Sequence, residues 1–216
     1  MEQANSGIFK RNSLLAPGLI KALESRKFKA LYCETAGEAA NTAFSLIAPG
    51  SAVAWGGSVT LREIGLLDKI RQAGYTTIDR DEAETTEQRF ELMRQALLSD
   101  VYLGSANAIS EDGILVNVDS VGNRTAAITF GPKQVILVVG MNKVCKTAEE
   151  AEARARHYAA PVNAARLGLH KTPCAATGAC ANCKADECIC SVVVKTRMCK
   201  IKGRIVVILV GEPLGY

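Results

Sequence analysis

A cysteine-rich segment is the first place where this chain could do chemistry. Five of its eight cysteines lie in "TPCAATGACANCKADECIC", residues 172–190. Thiolates in a short glycine-containing loop could close around a zinc ion or an iron–sulfur cluster. Two alternatives stay open, namely reduced thiols that respond to oxidants and a disulfide that forms on oxidation.

A first candidate anion site is "WGGSVTLRE", residues 55–63. Two glycines follow a predicted strand and precede a predicted helix, whose free N–H groups attract phosphate or carboxylate. Thr60 and Glu63 also form a capping-box pattern, so turn and cap chemistry alone is the alternative. The ligand candidates in this stretch are Gly56, Gly57, Ser58 and Thr60.

Two further stretches place polar groups beside predicted strands, where ligands of open α/β sheets bind. In residues 104–124, Asn107, Asn117 and Arg124 are the better ligand candidates, since Asp112-Gly113 is typical of a tight turn. In "VVGMNKV", residues 138–144, Asn142 and Lys143 follow an apolar run. Lys143 could bind an anion or, if desolvated, act as a nucleophile; a solvated surface lysine is the alternative.

The order of elements predicts an α/β fold with a mainly parallel sheet flanked by helices. Residues 1–216 should form a single domain, with the cysteine-rich segment 171–190 as an excursion. Residues 191–216 should add two closing strands to the same sheet, joined by a hairpin connection. We expect the apolar stripe of Phe90, Met93 and Leu97 to lie in the core. Helices are predicted near 37–50, 60–73, 82–98 and from 147; strands near 29–35, 51–57, 75–79, 100–109, 113–119, 134–140, 191–196 and 204–211.

Composition narrows the class of protein. The net charge of +4 in 216 residues is too weak to argue for a nucleic-acid partner. No apolar run approaches the ~20 residues of a membrane-spanning helix, and the N-terminus lacks a signal-peptide pattern. We therefore expect a cytoplasmic protein without a membrane partner, and in the cytoplasm disulfides rarely persist.

Several long motifs resemble one known family. "GSANAISEDGILVNVDSVGNRTAAITFGPKQVILVVGMNKV", "APVNAARLGL", "TPCAATGACANC" and "VILVGEPLGY" are similar to the LUD-domain family of lactate-utilisation proteins, in its LutC-like group. With "WGGSVTLREIGL", the resemblance covers about residues 11–216. It implies the α/β fold shared by ribose-5-phosphate isomerase, glucosamine-6-phosphate deaminase and CoA transferases. It also implies a role in oxidising lactate to pyruvate alongside iron–sulfur partner proteins.

The resemblance also points to residues. Its cysteine pattern matches four thiols with the spacing C-x5-C-x2-C-x6-C, which fits neither common zinc modules nor plant-type ferredoxins. These tentative metal ligands are Cys174, Cys180, Cys183 and Cys190. Cys188 stands where a basic residue is expected, and we expect it to point to the opposite side from Cys190. The polar pattern matches Gly56, Gly57, Ser58, Thr60, Glu63, Asn107, Glu111, Gly113, Asn117, Gly122, Asn123, Arg124, Asn142 and Lys143.

Three functional hypotheses follow. The first is a LUD protein that binds a small carboxylate or phosphate and acts with iron–sulfur oxidoreductase subunits. The second is a stand-alone isomerase-like or acyl-transfer enzyme that uses Glu111 or Lys143, because "SEDG" at 110–113 is similar to the acidic turn carrying the glutamate nucleophile of CoA transferases. The third is a non-catalytic redox or assembly subunit that contacts an iron–sulfur partner through its cysteine-rich loop.

Overall fold

The computed structural model describes the backbone of residues 2–216 and the side chains of residues 6–216. The strands are β1 (Lys29–Cys33), β2 (Ala52–Trp55), β3 (Thr76–Asp79), β4 (Val101–Gly104), β5 (Ala108–Ser110), β6 (Leu115–Asp119), β7 (Gln134–Gly140), β8 (Val144–Cys145), β9 (Val192–Thr196) and β10 (Ile205–Val210). The α-helices are α1 (Glu2–Ser25), α2 (Ala36–Ser45), α3 (Val59–Glu63), α4 (Leu66–Gln72), α5 (Thr86–Gln95), α6 (Asn123–Thr129), α7 (Ala148–Arg154), α8 (Ala160–Arg166) and α9 (Pro173–Thr177). Short 3-10 turns span Arg80–Glu82, Ala96–Leu98 and Met141–Lys143.

The main sheet has six parallel strands in the order β1-β10-β7-β4-β2-β3. Helices cover both of its faces, which is why its central strands are almost wholly apolar. In β7, Val135, Leu137 and Val139 pack in one core with α1 and α6. Ile136 and Val138 pack in the other, with α2, α3 and α4. The predicted α/β fold with a mainly parallel sheet is thus confirmed.

A second, smaller sheet has four strands in the order β8-β5-β6-β9. β5 and β6 form an antiparallel hairpin, β9 runs antiparallel to β6, and β8 runs parallel to β5. Ala151 and Ala155 pack against Ala108 and Val116 of this sheet. The sheet carries much of the polar stretch 104–124.

The two C-terminal strands do not form a hairpin, so the prediction that both close the same sheet is wrong. β9 pairs with β6 in the small sheet, whereas β10 inserts between β1 and β7 in the main sheet. The burial of the side chains along each strand agrees with this difference. Residues of β9 alternate between half-buried and exposed, as suits an edge strand, while every residue of β10 is buried.

The helix predicted over 60–73 is broken in two. Ser58, not Thr60, is the N-cap of α3, and its hydroxyl accepts a hydrogen bond from the Leu61 N–H. Gly65 then adopts a left-handed conformation between α3 and α4. As a result α3 has five residues and offers only a short dipole.

The sequence patterns gave no prediction for α1, although it is the longest helix described. Pro17 lies inside it and masks its periodicity, whereas Leu19 and Leu23 bury one face against the sheet. Within the described part of the chain, neither α1 nor any other helix is both long and apolar enough to cross a membrane.

The helix that starts after Thr147 is interrupted by a π-helical turn. α7 runs into the turn Ala155–Ala159, which leads directly into α8. Pro161 has no N–H to donate to the preceding turn, and a π segment accommodates that loss. The widened turn matters for the site, because Ala159 and Ala160 lie in a cavity wall.

Candidate functional site

The candidate site is a cavity of about 350 Å³ at the carboxyl end of the main sheet. Four chain segments that leave this edge supply its wall. Gly56 follows β2, Arg80 follows β3, Ser105 follows β4, and Lys143 ends the turn after β7. Parallel strands bring their carboxyl ends to one edge, which explains why residues distant in sequence meet here.

The cavity wall carries a surplus of positive charge. Five cationic side chains line it, two of which pair with Asp81 outside the wall, and only one acidic side chain among the described residues does so. That carboxylate, Asp119, is already bound to Arg124 and also accepts from the backbone N–H groups of Arg124 and Thr125. The cations are Arg80, Arg89, Arg124, Lys143 and Arg166. The wall therefore suits a ligand with negative charge.

Lys143 is the most deeply buried cation of the wall, with 3% of its surface exposed. Its Nζ lies 3.0 Å from Thr60 Oγ1 and 3.1 Å from Ser105 Oγ. No carboxylate of the described residues forms an ion pair with it; its partners are two neutral hydroxyls. Burial first, and the nearby Arg154 guanidinium second, lower the pKa of Lys143 to about 7. The amine is thus partly neutral at neutral pH.

Two buried donors of the wall have no hydrogen-bond partner, namely Arg80 Nε and Tyr102 Oη, although Arg80 Nε forms a long ion pair with Asp81 Oδ1 at 3.8 Å. Burial raises the pKa of the Tyr102 phenol, so it stays protonated and able to donate. Buried polar groups rarely remain unpaired in proteins, because each costs about 1–3 kcal/mol. Both groups lie where a ligand in the cavity could accept their hydrogen bonds.

Gly56 and Gly57 allow the chain to approach these side chains closely. A Cβ at Gly56 would clash with Arg124 Cγ and would lie 2.6 Å from Tyr102 Oη. One at Gly57 would lie 2.8 Å from an Arg80 terminal nitrogen. The two glycines therefore serve close packing of the cavity wall.

The C-terminal residues close one side of the cavity. Tyr216 Oη donates to Asn163 Oδ1 at 2.7 Å and accepts from Arg166 Nε at 2.6 Å. Gly215 packs onto the amine site, since a Cβ there would lie 3.2 Å from Lys143 Nζ and 2.7 Å from Thr60 Oγ1. The N–H of Gly215 donates to Glu63 Oε2. These contacts join α3, α8 and the chain end around Lys143.

Most of the predicted ligand residues lie in this cavity, and three do not. Asn117 instead donates to the Ser105 carbonyl, and Asn142 holds Leu214 and Gly215. Glu111 lies on the β5–β6 turn, where it pairs with Lys146. The predicted residues that line the cavity are Gly56, Gly57, Ser58, Thr60, Asn107, Asn123, Arg124 and Lys143.

The sequence patterns missed several cavity residues. Phe90 and Met93 line the cavity rather than filling the core, so the prediction of a core position is wrong for these two residues, whereas Leu97 of the same stripe packs against the core; Phe90 is 39% exposed. Arg80 and Ser105 directly follow strands, and the rule on carboxyl ends would have found both. Arg166 and Tyr216 carried no local signal, because only the tertiary fold brings them here.

All five cysteines of the cysteine-rich segment line a second cavity, of about 450 Å³. In the part of the chain that the structure describes, however, no three side chains of His, Cys, Asp or Glu are arranged to hold a metal ion. Cys174 contacts Thr172 Oγ1 at 3.4 Å. Metal ligation by Cys174, Cys180, Cys183 and Cys190 stays a prediction, which metal analysis of anaerobically purified protein would test.

Cys188 and Cys190 are neighbours, with their sulfurs 3.5 Å apart. The expectation that they point to opposite sides is wrong, because residues two apart in an extended segment share a side. Ile189 between them lies in the walls of both cavities. The cysteine-rich loop thus adjoins the candidate site directly.

Comparison with known proteins agrees with this architecture. A DUF162 family protein from Deinococcus radiodurans has a similar structure, with a TM-score of 0.52 and 10% identity over 92% of this chain and 97% of that one. eIF2B delta from Chaetomium thermophilum is less similar, with a TM-score of 0.35 and 17% identity over 63% and 57% of the two chains. No curated protein matches the chain. The family model of the LUD domain matches residues 17–210, and the chain therefore belongs to the LUD domain family.

Proposed function

We propose that this protein binds a small anionic ligand of lactate utilisation, a 2-hydroxy or 2-oxo carboxylate, in the cavity at the carboxyl end of the main sheet. The observation that carries the proposal is the charge of the wall, which holds five cationic side chains and one acidic one. Arg124 pairs with that acidic residue, Asp119, and Arg89 and Arg80 pair with Asp81, whereas Lys143 and Arg166 have only neutral hydrogen-bond partners among the described residues. The LUD family is generally linked to lactate utilisation, which supports this class of ligand.

The unpaired donors support a ligand with several acceptor atoms. Arg80 Nε and Tyr102 Oη are buried without partners, and a carboxylate offers two oxygens with about four acceptor positions. Arg166 contributes a further charge whose hydrogen-bond partners, Asn163 and Tyr216, are neutral. An anion would therefore gain ion pairing in addition to charge-assisted hydrogen bonds here, whereas a neutral ligand would gain only the hydrogen bonds.

Thermal unfolding with a ligand panel tests the proposal. The cavity of about 350 Å³ exceeds the volume of one three-carbon acid, so the panel pairs lactate and pyruvate with ribose 5-phosphate. Lactamide is the neutral control. We expect an anion to raise the unfolding temperature, Lys143→Ala to reduce that shift, and Lys146→Ala, outside the cavity, to preserve it. The absence of a shift with every anion would overturn the proposal.

We further propose that the protein acts in the oxidation of lactate to pyruvate together with iron–sulfur oxidoreductase subunits. The family link supports this step, as does the position of the thiol-lined cavity next to the anion cavity. Reconstitution tests it. Lactate-dependent reduction of a dye by purified iron–sulfur subunits should rise when this chain is added, and an unchanged rate would contradict the proposal.

A second candidate function is acyl transfer through Lys143. The buried amine with neutral partners favours it, whereas Glu111 is engaged by Lys146 outside the cavity. Incubation with a panel of acyl-CoAs followed by intact-mass measurement tests this alternative. A stable acyl adduct on Lys143 would favour it over simple anion binding, and an unchanged mass would count against it.

A further inference from the structure

We infer that Lys143 is a carbonyl-reactive lysine, which forms an imine with the 2-oxo group of a 2-oxo acid bound in the cavity. The inference rests on the proposed function, because it requires that the cavity bind such an anion. It goes further in giving the amine a covalent role and in naming the carbonyl compound as its partner.

The surroundings of Lys143 differ from those of the ion-paired lysines in this chain. Lys133, Lys146 and Lys195 are bound to carboxylates at the surface. The Lys143 amine is buried and bound by the hydroxyls of Thr60 and Ser105 instead. A permanent ammonium without a counter-ion would be costly at this depth. The site is therefore suited to an amine that loses its proton readily.

Two of the three charged groups that act on Lys143 disfavour its protonated form. These are Arg154 and Arg124, whereas Glu63 favours the protonated amine. Glu63 also accepts from the Gly215 N–H, so part of its charge is engaged there. Desolvation is the largest influence, and together these effects lower the pKa of Lys143 to about 7. A neutral amine is the form that attacks a carbonyl carbon.

The reaction needs no additional reactant. The Nζ lone pair attacks the 2-oxo carbon, the new C–N bond forms, and the carbonyl oxygen takes up a proton to give a carbinolamine. The proton taken up by the oxygen is one of the two amine protons, and loss of the resulting hydroxyl with the remaining N–H proton releases water and leaves the C=N bond. Thr60 and Ser105 lie within 3.1 Å of Nζ, and their hydroxyls can relay protons between nitrogen and oxygen.

The rest of the wall suits the carboxylate of the same molecule. Arg80 and Arg166 supply charge, and the unpaired Tyr102 phenol supplies a donor. A cation bound to the carboxylate would hold the adjacent carbonyl in place for the amine. A 2-oxo acid combines both groups on neighbouring carbons, whereas a 2-hydroxy acid has no carbonyl to form the imine. Lactate is therefore a matched unreactive control.

Reductive trapping tests the inference. The protein is incubated with pyruvate and cyanoborohydride, and we expect a mass increase of one reduced pyruvyl group, which peptide mapping assigns to Lys143. Lactate in place of pyruvate should leave the mass unchanged. Lys143→Arg should remove the adduct, and Lys146→Arg should retain it. Because mapping is done on the wild-type chain, the result stands even if Lys143→Arg fails to fold.

Two outcomes separate this inference from the proposed function. If pyruvate raises the unfolding temperature but leaves no adduct on Lys143, the covalent role is overturned and anion binding survives. If no anion shifts the unfolding temperature and no adduct forms, both are overturned. Equal labelling of Lys143 and surface lysines such as Lys146 would show unselective chemistry and would likewise overturn the inference.

Discussion

The amine of Lys143 and the hydroxyl of Thr60 lie 3.0 Å apart, although 83 residues separate them in the chain. Thr60 lies in the first turn after β2, and Lys143 lies in the turn after β7. β4 separates the two strands in the sheet and contributes the second hydroxyl, that of Ser105. Three strand ends therefore build the surroundings of one amine.

The stability of the protein should depend on pH through Lys143. The pKa of Lys143 is about 7 in the folded chain, against 10.5 for a lysine in the unfolded chain. Between these values the unfolded chain binds the extra proton, so the free energy of unfolding rises with pH; below pH 7 both states hold the proton and this dependence ends. At ~1.4 kcal/mol per pH unit across the whole interval, we expect the wild type to gain up to about 5 kcal/mol relative to Lys143→Met. Urea denaturation across this range measures the difference, and parallel pH profiles would contradict the expectation.

Arg80→Gln should weaken anion binding. The variant shortens the side chain and removes the unpaired Nε donor and the charge from the cavity wall. Charge-assisted hydrogen bonds contribute about 1.5–3 kcal/mol, so we expect the Kd for pyruvate to rise about 10- to 100-fold. Titration calorimetry provides the measurement. Arg94→Gln is the matched control, because Arg94 is exposed, pairs only with Glu91 and does not line the cavity.

Gly56→Ala should destabilise the protein and impair ligand binding together. The added methyl group would meet the Arg124 side chain and the Tyr102 hydroxyl, so both must move. Overpacking of this kind costs typically about 1–3 kcal/mol. Gly18→Ala is the control, since its Cβ would meet nothing within 4 Å in the interior of α1, and there alanine should stabilise by up to ~1 kcal/mol. Equal unfolding free energies for the two variants would show that the close approach at Gly56 carries no cost.

Cys188 should react with alkylating reagents before Cys190. Burial opposes ionisation of Cys188, but hydrogen bonds from Cys190, Ser191 and Cys183 outweigh it and lower its pKa. Burial and the adjacent Cys188 raise the pKa of Cys190 to about 12. The thiolate is the reactive form, so limited iodoacetamide should label Cys188 first. Fragment-ion mass spectrometry locates the label, and the buried Cys199 serves as the unreactive reference. Preferential labelling of Cys190 would contradict the assignment.

The sequence was most informative where the environment of an element depends on its own residues. The apolar run 134–140 predicts a strand covered on both faces, and β7 has these bounds with side chains in both cores. The sequence did not distinguish β9 from β10, because VVVKT shows no alternation of apolar and polar residues; only the burial pattern in the structure identifies β9 as an edge strand and β10 as a central one. α1 escaped prediction because Pro17 interrupts a pattern that tertiary packing stabilises.

The candidate site could be predicted only in part. Residues that lie within a few positions after a parallel strand, such as Gly56 and Lys143, can be assigned to the carboxyl edge of the sheet, because the fold class fixes where the strand ends meet. The sequence does not show which of several nearby amides turns inward. Asn107 lines the cavity, whereas the Asn117 amide donates a hydrogen bond to the Ser105 carbonyl. Arg166 and Tyr216 meet through folding alone. The cytoplasmic location and the iron–sulfur partners stay predictions.

The side chain of Ile189 lies in the walls of both cavities, the candidate site and the thiol-lined cavity. Its neighbours Cys188 and Cys190 line one cavity, and Ile189 itself also borders the other. A larger or smaller side chain at Ile189 would therefore change the lining of both cavities at once.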